Sequence, residues 1–311
     1  MQRVLWVLVV LVAAEAALGA PAFAARDYTA ERVTYARPNG KRLTMTLFVP
    51  RAGGQTLRPA VVLIHGGAWV FGTRRQLHWY GRRLAEKGYV AASINYRLMP
   101  WHGFPACLHD SKAAVRWLRI HATHYGVDPG RIAVLGNSAG GHLTALLATT
   151  RPADGLEGGE NPGPSSAVQA AVNLYGVADM SYYRHPRGYI RLFGLTARFA
   201  DRFVGGKRED DGQNPYDLAS PTYYAHPNTC PMLFVHGTKD NQVPYGQSVA
   251  FCEQLRRLGV PTRLITVPYG HAFDFLHHRT RGYVFTEILG FLQEHLGESF
   301  VPGPTGSVCR E

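Results

Sequence analysis

Short apolar runs alternate along the chain with stretches whose apolar residues recur every three or four positions. Val61 to Ile64, Val90 to Ile94, Ile132 to Leu135, Val168 to Leu174, Met232 to Val235 and Leu264 to Val267 are largely apolar on successive positions. A strand buried on both faces has this pattern. Between the runs, Gln76 to Lys87, Cys107 to Tyr125, Gln247 to Leu258 and Tyr283 to Leu296 carry the helical period. Such alternation predicts an α/β protein with a mostly parallel sheet covered on both faces. Ahead of it, Arg32 to Tyr35 and Leu43 to Val49 alternate apolar and polar around Pro38-Asn39-Gly40, which predicts an opening antiparallel hairpin.

More than fifty residues separate Leu174 from Met232, richer in Arg, Tyr, Phe and Gly than a crossover needs. An insertion there, about 177–222, is expected to form a cap above the carboxyl ends of the strands, where open α/β sheets bind ligands. Tyr182, Tyr183, Tyr189, Phe193 and Phe199 are its candidates for lining a pocket, with ordinary packing as the alternative for each.

The chain has 311 residues, 46% hydrophobic and 18% charged, which suits one catalytic domain over residues 25–311. Residues 1–24 read differently. Met1-Gln2-Arg3, an apolar run from Val4 to Ala14, and Ala22-Phe23-Ala24 have the form of a secretory signal cut after Ala24. The run of eleven residues before Glu15 is short against the roughly 20 that a spanning helix needs. Export to a periplasmic or extracellular space is therefore expected.

In that compartment Cys107, Cys230, Cys252 and Cys309 would meet oxidising conditions. A Cys230–Cys252 bridge would brace the loop between them; burial as small apolar side chains is the other reading, and both stay open. Net charge is +11, carried by 28 Arg against 5 Lys. The arginines are scattered and no nucleic-acid motif accompanies them, so the charge reads as a solvated surface.

Gly136-Asn137-Ser138-Ala139-Gly140 lies between a strand run and a helical run. A reversal that tight strains the serine backbone, lifts its hydroxyl clear of the sheet and requires glycines as steric clearances. Three further chemical groups follow predicted strands: His65-Gly66-Gly67-Ala68-Trp69, His236-Gly237-Thr238-Lys239-Asp240 and Tyr269-Gly270-His271. Serine needs a base near neutrality, and an imidazole supplies it. His271 is the candidate, set in Gly270-His271-Ala272-Phe273, with His142 as its main competitor. Asp240, 31 positions before His271, is the candidate acid that orients the imidazole. His65 and His236 read as loop-shaping residues, Asp110 as a packing or hydrogen-bonding residue, and Asp274 as too close to His271 along the chain to serve it.

The order oxyanion loop, serine, aspartate, histidine is that of the α/β-hydrolases. From Arg32 to Leu296 the chain resembles the esterase/lipase group of that fold, near its hormone-sensitive-lipase-like and bacterial feruloyl or acetyl esterase branches. The resemblance rests on His65 to Trp69, Asn95-Tyr96-Arg97-Leu98, Asp110 through Trp117 to Asp128-Pro129, Gly136 to Leu143, His236 to Pro244 and Gly270 to Phe273. Ala68 stands where the lipase-like loop usually has a third glycine, a form closer to the feruloyl or acetyl branch. The resemblance implies an eight-stranded, mostly parallel sheet with helices on both faces and a cap insertion. It also implies a Ser138, Asp240, His271 triad with backbone donors from Gly67, Ala68 and Ala139. Trp69, Tyr189 and Phe193 are expected around the substrate. The implied reaction is hydrolysis of a carboxylic ester, of a small molecule or a polysaccharide, through an acyl-enzyme that needs no metal or cofactor. A formamidase, amidase or peptidase on the same triad, or a binding protein on the same fold, are the alternatives.

Overall fold

The computed structural model describes residues 27–51, 57–184, 199–205 and 214–297. Among the described residues eight strands form one sheet: β1 (Tyr28–Ala36), β2 (Leu43–Pro50), β3 (Arg58–Ile64), β4 (Val90–Ile94), β5 (Val127–Asn137), β6 (Ala170–Leu174), β7 (Met232–Gly237) and β8 (Thr262–Val267). Their order is β1-β2-β4-β3-β5-β6-β7-β8. β1 and β2 pair antiparallel, as do β2 and β4, and every pair from β4 onward is parallel.

Strand β3 shows why its residues make a central strand. All seven of its positions are buried. Ala60, Val62 and Ile64 enter the core on one face, and Val61 and Leu63 enter the core on the other. The first face is covered by α2 (Ala106–Ile120), α3 (Ala139–Thr149) and α4 (Tyr245–Arg257), the second by α1 (His78–Glu86) and α5 (His278–Leu296). Each fully buried Val, Ile or Leu contributes about 1.5–3 kcal/mol of transfer free energy, so the strand alternation holds both helical layers at once.

Several elements run differently from the sequence reading. β1 begins at Tyr28, four residues before the expected hairpin strand, because it is an edge strand whose Thr29 to Arg32 face solvent and leave no apolar alternation. α5 starts at His278, five residues early, since its first turn is polar and hides the period. The long helix expected to Tyr125 breaks at His121 and continues as one turn, Ala122–Tyr125, closed by Gly126 at φ 62°. Cys107, Cys230 and Cys252 are free thiols packed into the same core, so the bridge across the acid loop is not formed.

Of the expected cap, residues 177–184, 199–205 and 214–222 are described. Phe203 is fully buried and stacks on Trp69 with ring centroids 4.4 Å apart, and its carbonyl accepts the Phe104 N–H. This segment thus rests on the loop after β3. Tyr189, Phe193, Cys309 and the expected secretory signal at 1–24 lie outside the described residues. Among the described residues no helix is long and apolar enough to cross a membrane, and no group of three or more His, Cys, Asp or Glu could hold a metal ion.

Candidate active site

Strands β3, β5, β7 and β8 lie in the parallel part of the sheet, and each ends in one of the loops singled out above. Between β5 and α3, Ser138 has φ 52° and ψ −120°, a left-handed conformation costly for any residue with a side chain. Backbone bonds from Ser138 N–H to Leu174 O (2.8 Å) and from His142 N–H to Ser138 O (3.0 Å) hold it there. The flanking glycines are required by contact: a Cβ at Gly140 would stand 2.0 Å from Ile64 O, and one at Gly136 would stand 2.3 Å from Gly140 O.

The Ser138 hydroxyl lies 2.8 Å from His271 Nε2, and His271 Nδ1 lies 2.7 Å from Asp240 Oδ2. With an ionised Asp240 the proton sits on Nδ1, leaving Nε2 free to accept from the serine. Asp240 is itself tightly placed. Its Oδ1 accepts the Gln242 and Val243 N–H groups at 2.8 and 3.0 Å. His236 Nε2 lies 2.9 Å from Val243 O and 3.3 Å from Asp240 Oδ2, while its Nδ1 accepts from Ser248 Oγ at 2.7 Å. Burial alone would raise the Asp240 carboxyl; hydrogen bonds from His236 and His271 override it and hold the group well below the usual carboxylate range.

The loop after β3 turns through three consecutive left-handed residues, Gly67 (φ 116°), Ala68 (φ 50°) and Trp69 (φ 60°). Only glycine fits the first, where a Cβ would lie 2.3 Å from Phe71 O. Val70 and Phe71 N–H groups both donate to Gly67 O, and Met99 N–H donates to Trp69 O, which fixes the turn. Trp69, expected to wall the pocket, anchors this loop instead. It is 2% exposed, its indole N–H donates to His142 Nδ1 at 3.2 Å, and Phe203 covers its face. Gly66 packs directly on the nucleophile loop, since a Cβ there would stand 3.1 Å from Ser138 Cβ. Ala139 opens α3, and the first amides of a helix have no intrahelical partner. Gly66, which leads into the Gly67 and Ala68 turn, and Ala139 thus flank Ser138 from two loops.

The competing histidines have other partners. His142 accepts from Trp69 and donates from Nε2 to Ala219 O at 2.7 Å; burial pulls its pKa down to about 4. His65 donates from Nδ1 to Gly66 O at 2.8 Å and stacks on Tyr96, with its pKa also lowered by burial to about 4. Asp110 forms a buried ion pair with Arg97 at 2.7 Å. Behind the site lies a set of residues to which the sequence reading gave no role. Asp274 is fully buried and accepts from Tyr175 Oη at 2.5 Å and Tyr80 Oη at 3.1 Å. Its carboxyl is raised by burial, against the pull of those two hydrogen bonds. Asn137 donates to Tyr175 Oη at 3.2 Å and accepts the Gly66 N–H at 2.8 Å. The one sequence signal for this set is a polar residue, Asn137, in an otherwise apolar strand end.

Residues 45–255 match the family described as BD-FAE. The chain belongs to that family. The chain has the fold of the α/β-hydrolases, and proteins similar to it are named as esterases. It is 36% identical over 219 residues to Esterase LipQ of Mycobacterium tuberculosis, covering 70% of this chain and 50% of that protein. It is 33% identical over 261 residues to the probable carboxylic ester hydrolase LipM of the same organism, covering 80% of this chain and 58% of that protein. The matches therefore span about half to three-fifths of these relatives' own length. Among solved structures, the BD-FAE chain resembles the butyrate-bound Est2 esterase of Thermogutta terrifontis, with a TM-score of 0.72 and 26% identity, covering 88% of this chain and 96% of that one. Est2 phosphonylated by sarin superposes with a TM-score of 0.73, also at 26% identity, covering 88% of this chain and 97% of that one.

Proposed function

We propose that the protein is an exported serine esterase that hydrolyses carboxylic esters through Ser138, His271 and Asp240. The observation that carries this reading is the pair of hydrogen bonds at 2.8 and 2.7 Å that joins the three side chains, beside the left-handed turn of Gly67, Ala68 and Trp69. The names of LipQ and LipM, and Est2 in its butyrate-bound and sarin-phosphonylated forms, support ester chemistry.

Ser138 Oγ attacks the ester carbonyl carbon while its proton passes to His271 Nε2. The carbonyl oxygen gains negative charge, and the Gly67, Ala68 and Ala139 N–H groups stabilise that charge more in the transition state than in the bound ester. Asp240 holds the imidazolium by its Nδ1–H. Collapse of the tetrahedral intermediate expels the alcohol, which takes the proton from Nε2. Water then repeats the sequence on the acyl-enzyme, with His271 as base, and releases the acid.

For the substrate, the reading is a small soluble ester or an acetyl or feruloyl ester of a polysaccharide, met outside the cytoplasm. Turnover of short and long p-nitrophenyl esters and of acetylated xylan by mature protein tests it, with Ser138→Ala alongside. Ester turnover that falls by about 10⁴-fold or more in the variant supports the assignment. Turnover that survives in Ser138→Ala, or that is found on matched amides and not on esters, overturns it.

A further inference from the structure

Four loops meet beneath the site through one hydrogen-bonded path. Gly66 N–H, one residue before the Gly67 and Ala68 donors, is held by Asn137 Oδ1 at 2.8 Å. Asn137 Nδ2 donates to Tyr175 Oη at 3.2 Å, and Tyr175 Oη donates to Asp274 Oδ1 at 2.5 Å. Asp274 stands three residues after His271, and the Tyr175 ring lies edge-on to the His271 ring with centroids 4.7 Å apart. Asn137, Tyr175 and Asp274 are at most 3% exposed.

The direction of every bond in this path is forced. A backbone N–H only donates, so the Asn137 oxygen faces Gly66 and its amide nitrogen faces Tyr175. Tyr175 therefore accepts there, and its single proton has one place left to go, the Asp274 carboxyl. In a dry interior a reversed or missing member leaves a neighbour unpaired, at about 1–3 kcal/mol per group, so the path resists distortion as a unit. Tyr175 itself is held at φ 42°, an unfavourable backbone for a bulky residue, by its N–H bond to Val235 O at 2.8 Å. A strained, buried tyrosine whose hydroxyl ties the loops after β5 and β8 calls for a reason beyond core filling, since phenylalanine fills the same volume.

We propose that Tyr175 is a positioning residue that, through Asn137 and Asp274, sets the oxyanion loop and the His271 loop in register about Ser138. This rests on the esterase reading above. The path acts on the transition state more than on the ground-state ester, because it governs where the Gly67 and Ala68 amides point when charge develops.

The test compares full-length mature Tyr175→Phe with Tyr80→Phe, which removes the other hydroxyl on Asp274 without touching Asn137. Steady-state kinetics on p-nitrophenyl butyrate, the inhibition constant of an aryl trifluoromethyl ketone and the thermal midpoint are measured for each. In Tyr175→Phe, kcat is expected to fall about 10- to 100-fold with KM changed less than about twofold. The ketone, whose adduct places an oxyanion in the same loop, weakens by a similar factor. Tyr80→Phe keeps kcat within about threefold at a comparable loss of thermal midpoint. Combining Tyr175→Phe with Asn137→Ala is expected to be no worse than the poorer single variant, since both cut one path. Equal kcat in the two tyrosine variants, or additive losses in the double variant, overturns the proposal while Ser138→Ala remains inactive. Full activity in Ser138→Ala overturns the esterase reading itself. Should Tyr175→Phe not accumulate, the Asp274 pair decides the matter. Asp274→Asn keeps an acceptor for Tyr175 and should retain most of kcat, whereas Asp274→Leu should lose it. Equal kcat in that pair counts against the path.

Discussion

Replacing Asp240 by asparagine changes one atom in size but reverses a polarity. The two oxygens of Asp240 are not equivalent: Oδ1 accepts from the Gln242 and Val243 amides at 2.8 and 3.0 Å, and Oδ2 faces His271 Nδ1 at 2.7 Å, with His236 Nε2 farther off at 3.3 Å and also bonded to Val243 O. An asparagine that turned its NH₂ toward those two amides would set donors against donors in a buried loop, at about 1–3 kcal/mol for each lost partner. The amide oxygen of Asp240→Asn therefore takes the Oδ1 place, and its NH₂ faces His271. Nδ1 must then become the acceptor, the imidazole proton moves to Nε2, and Ser138 meets a donor where it needs a base. A wrong tautomer with intact geometry costs about 10⁴-fold in kcat in the serine-protease triad, which is about 5.5 kcal/mol of transition-state free energy. The same loss is expected here on p-nitrophenyl butyrate at neutral pH, with KM changed little. A loss under tenfold, with the fold intact by circular dichroism, would refute the assignment of Asp240 as the residue that sets the tautomer.

Other consequences follow from buried charge and strain. Ser138→Gly removes the side chain from a left-handed backbone, so thermal stability should rise by about 1 kcal/mol while turnover is abolished; an unchanged or lower melting midpoint by calorimetry counts against stored strain. Burial lowers His65 and His142 to about 4, below the unfolded value of roughly 6.5, so the unfolded chain binds more protons between these limits. Their contribution is complete above the upper limit and is lost as pH falls toward the lower one, by a few kcal/mol together; urea midpoints that stay flat over that window argue otherwise. Glu157 accepts from both Lys112 (2.5 Å) and Arg116 (3.0 Å), whose side chains are buried. Glu157→Ala leaves two cations uncompensated and should destabilise by about 3–5 kcal/mol, and Glu157→Gln, which removes the same charge and sets an NH₂ against a donor, should cost a comparable amount, as read from denaturant titration.

The sheet was legible in the sequence wherever burial on both faces made a strand apolar throughout, as in β3. β1 and the first turn of α5 were not, because solvent on one side erased their periodicity. Ser138, Asp240 and His271 stood out for a local reason: each follows a strand end among small residues. Asp274 carries no such signal: its nearness to His271 along the chain bears only on sharing the imidazole. In the fold its carboxyl turns instead to Tyr80 and Tyr175, 194 and 99 positions away, and no local pattern announces such pairings. Trp69 looked like a pocket wall from its place in the loop; the partners that enclose it, His142 and Phe203, come from distant segments. Free thiols at Cys230 and Cys252 were equally undecidable from spacing, since both their reach and their burial are tertiary facts.

Ser138 and His271 are 133 positions apart, and the strands that carry them are separated in the sheet by β6 and β7. Between those two residues nothing local brings the hydroxyl to the imidazole; β6 and β7 must both be zipped in before the ends of β5 and β8 stand opposite one another. Recovered turnover during refolding is then a stringent clock. Ellipticity should return with the helices and early strand pairs, whereas activity should lag until the last parallel ladder closes, a slow, high-contact-order step. The interval between the two signals measures how long the chain exists as a structured but inert species.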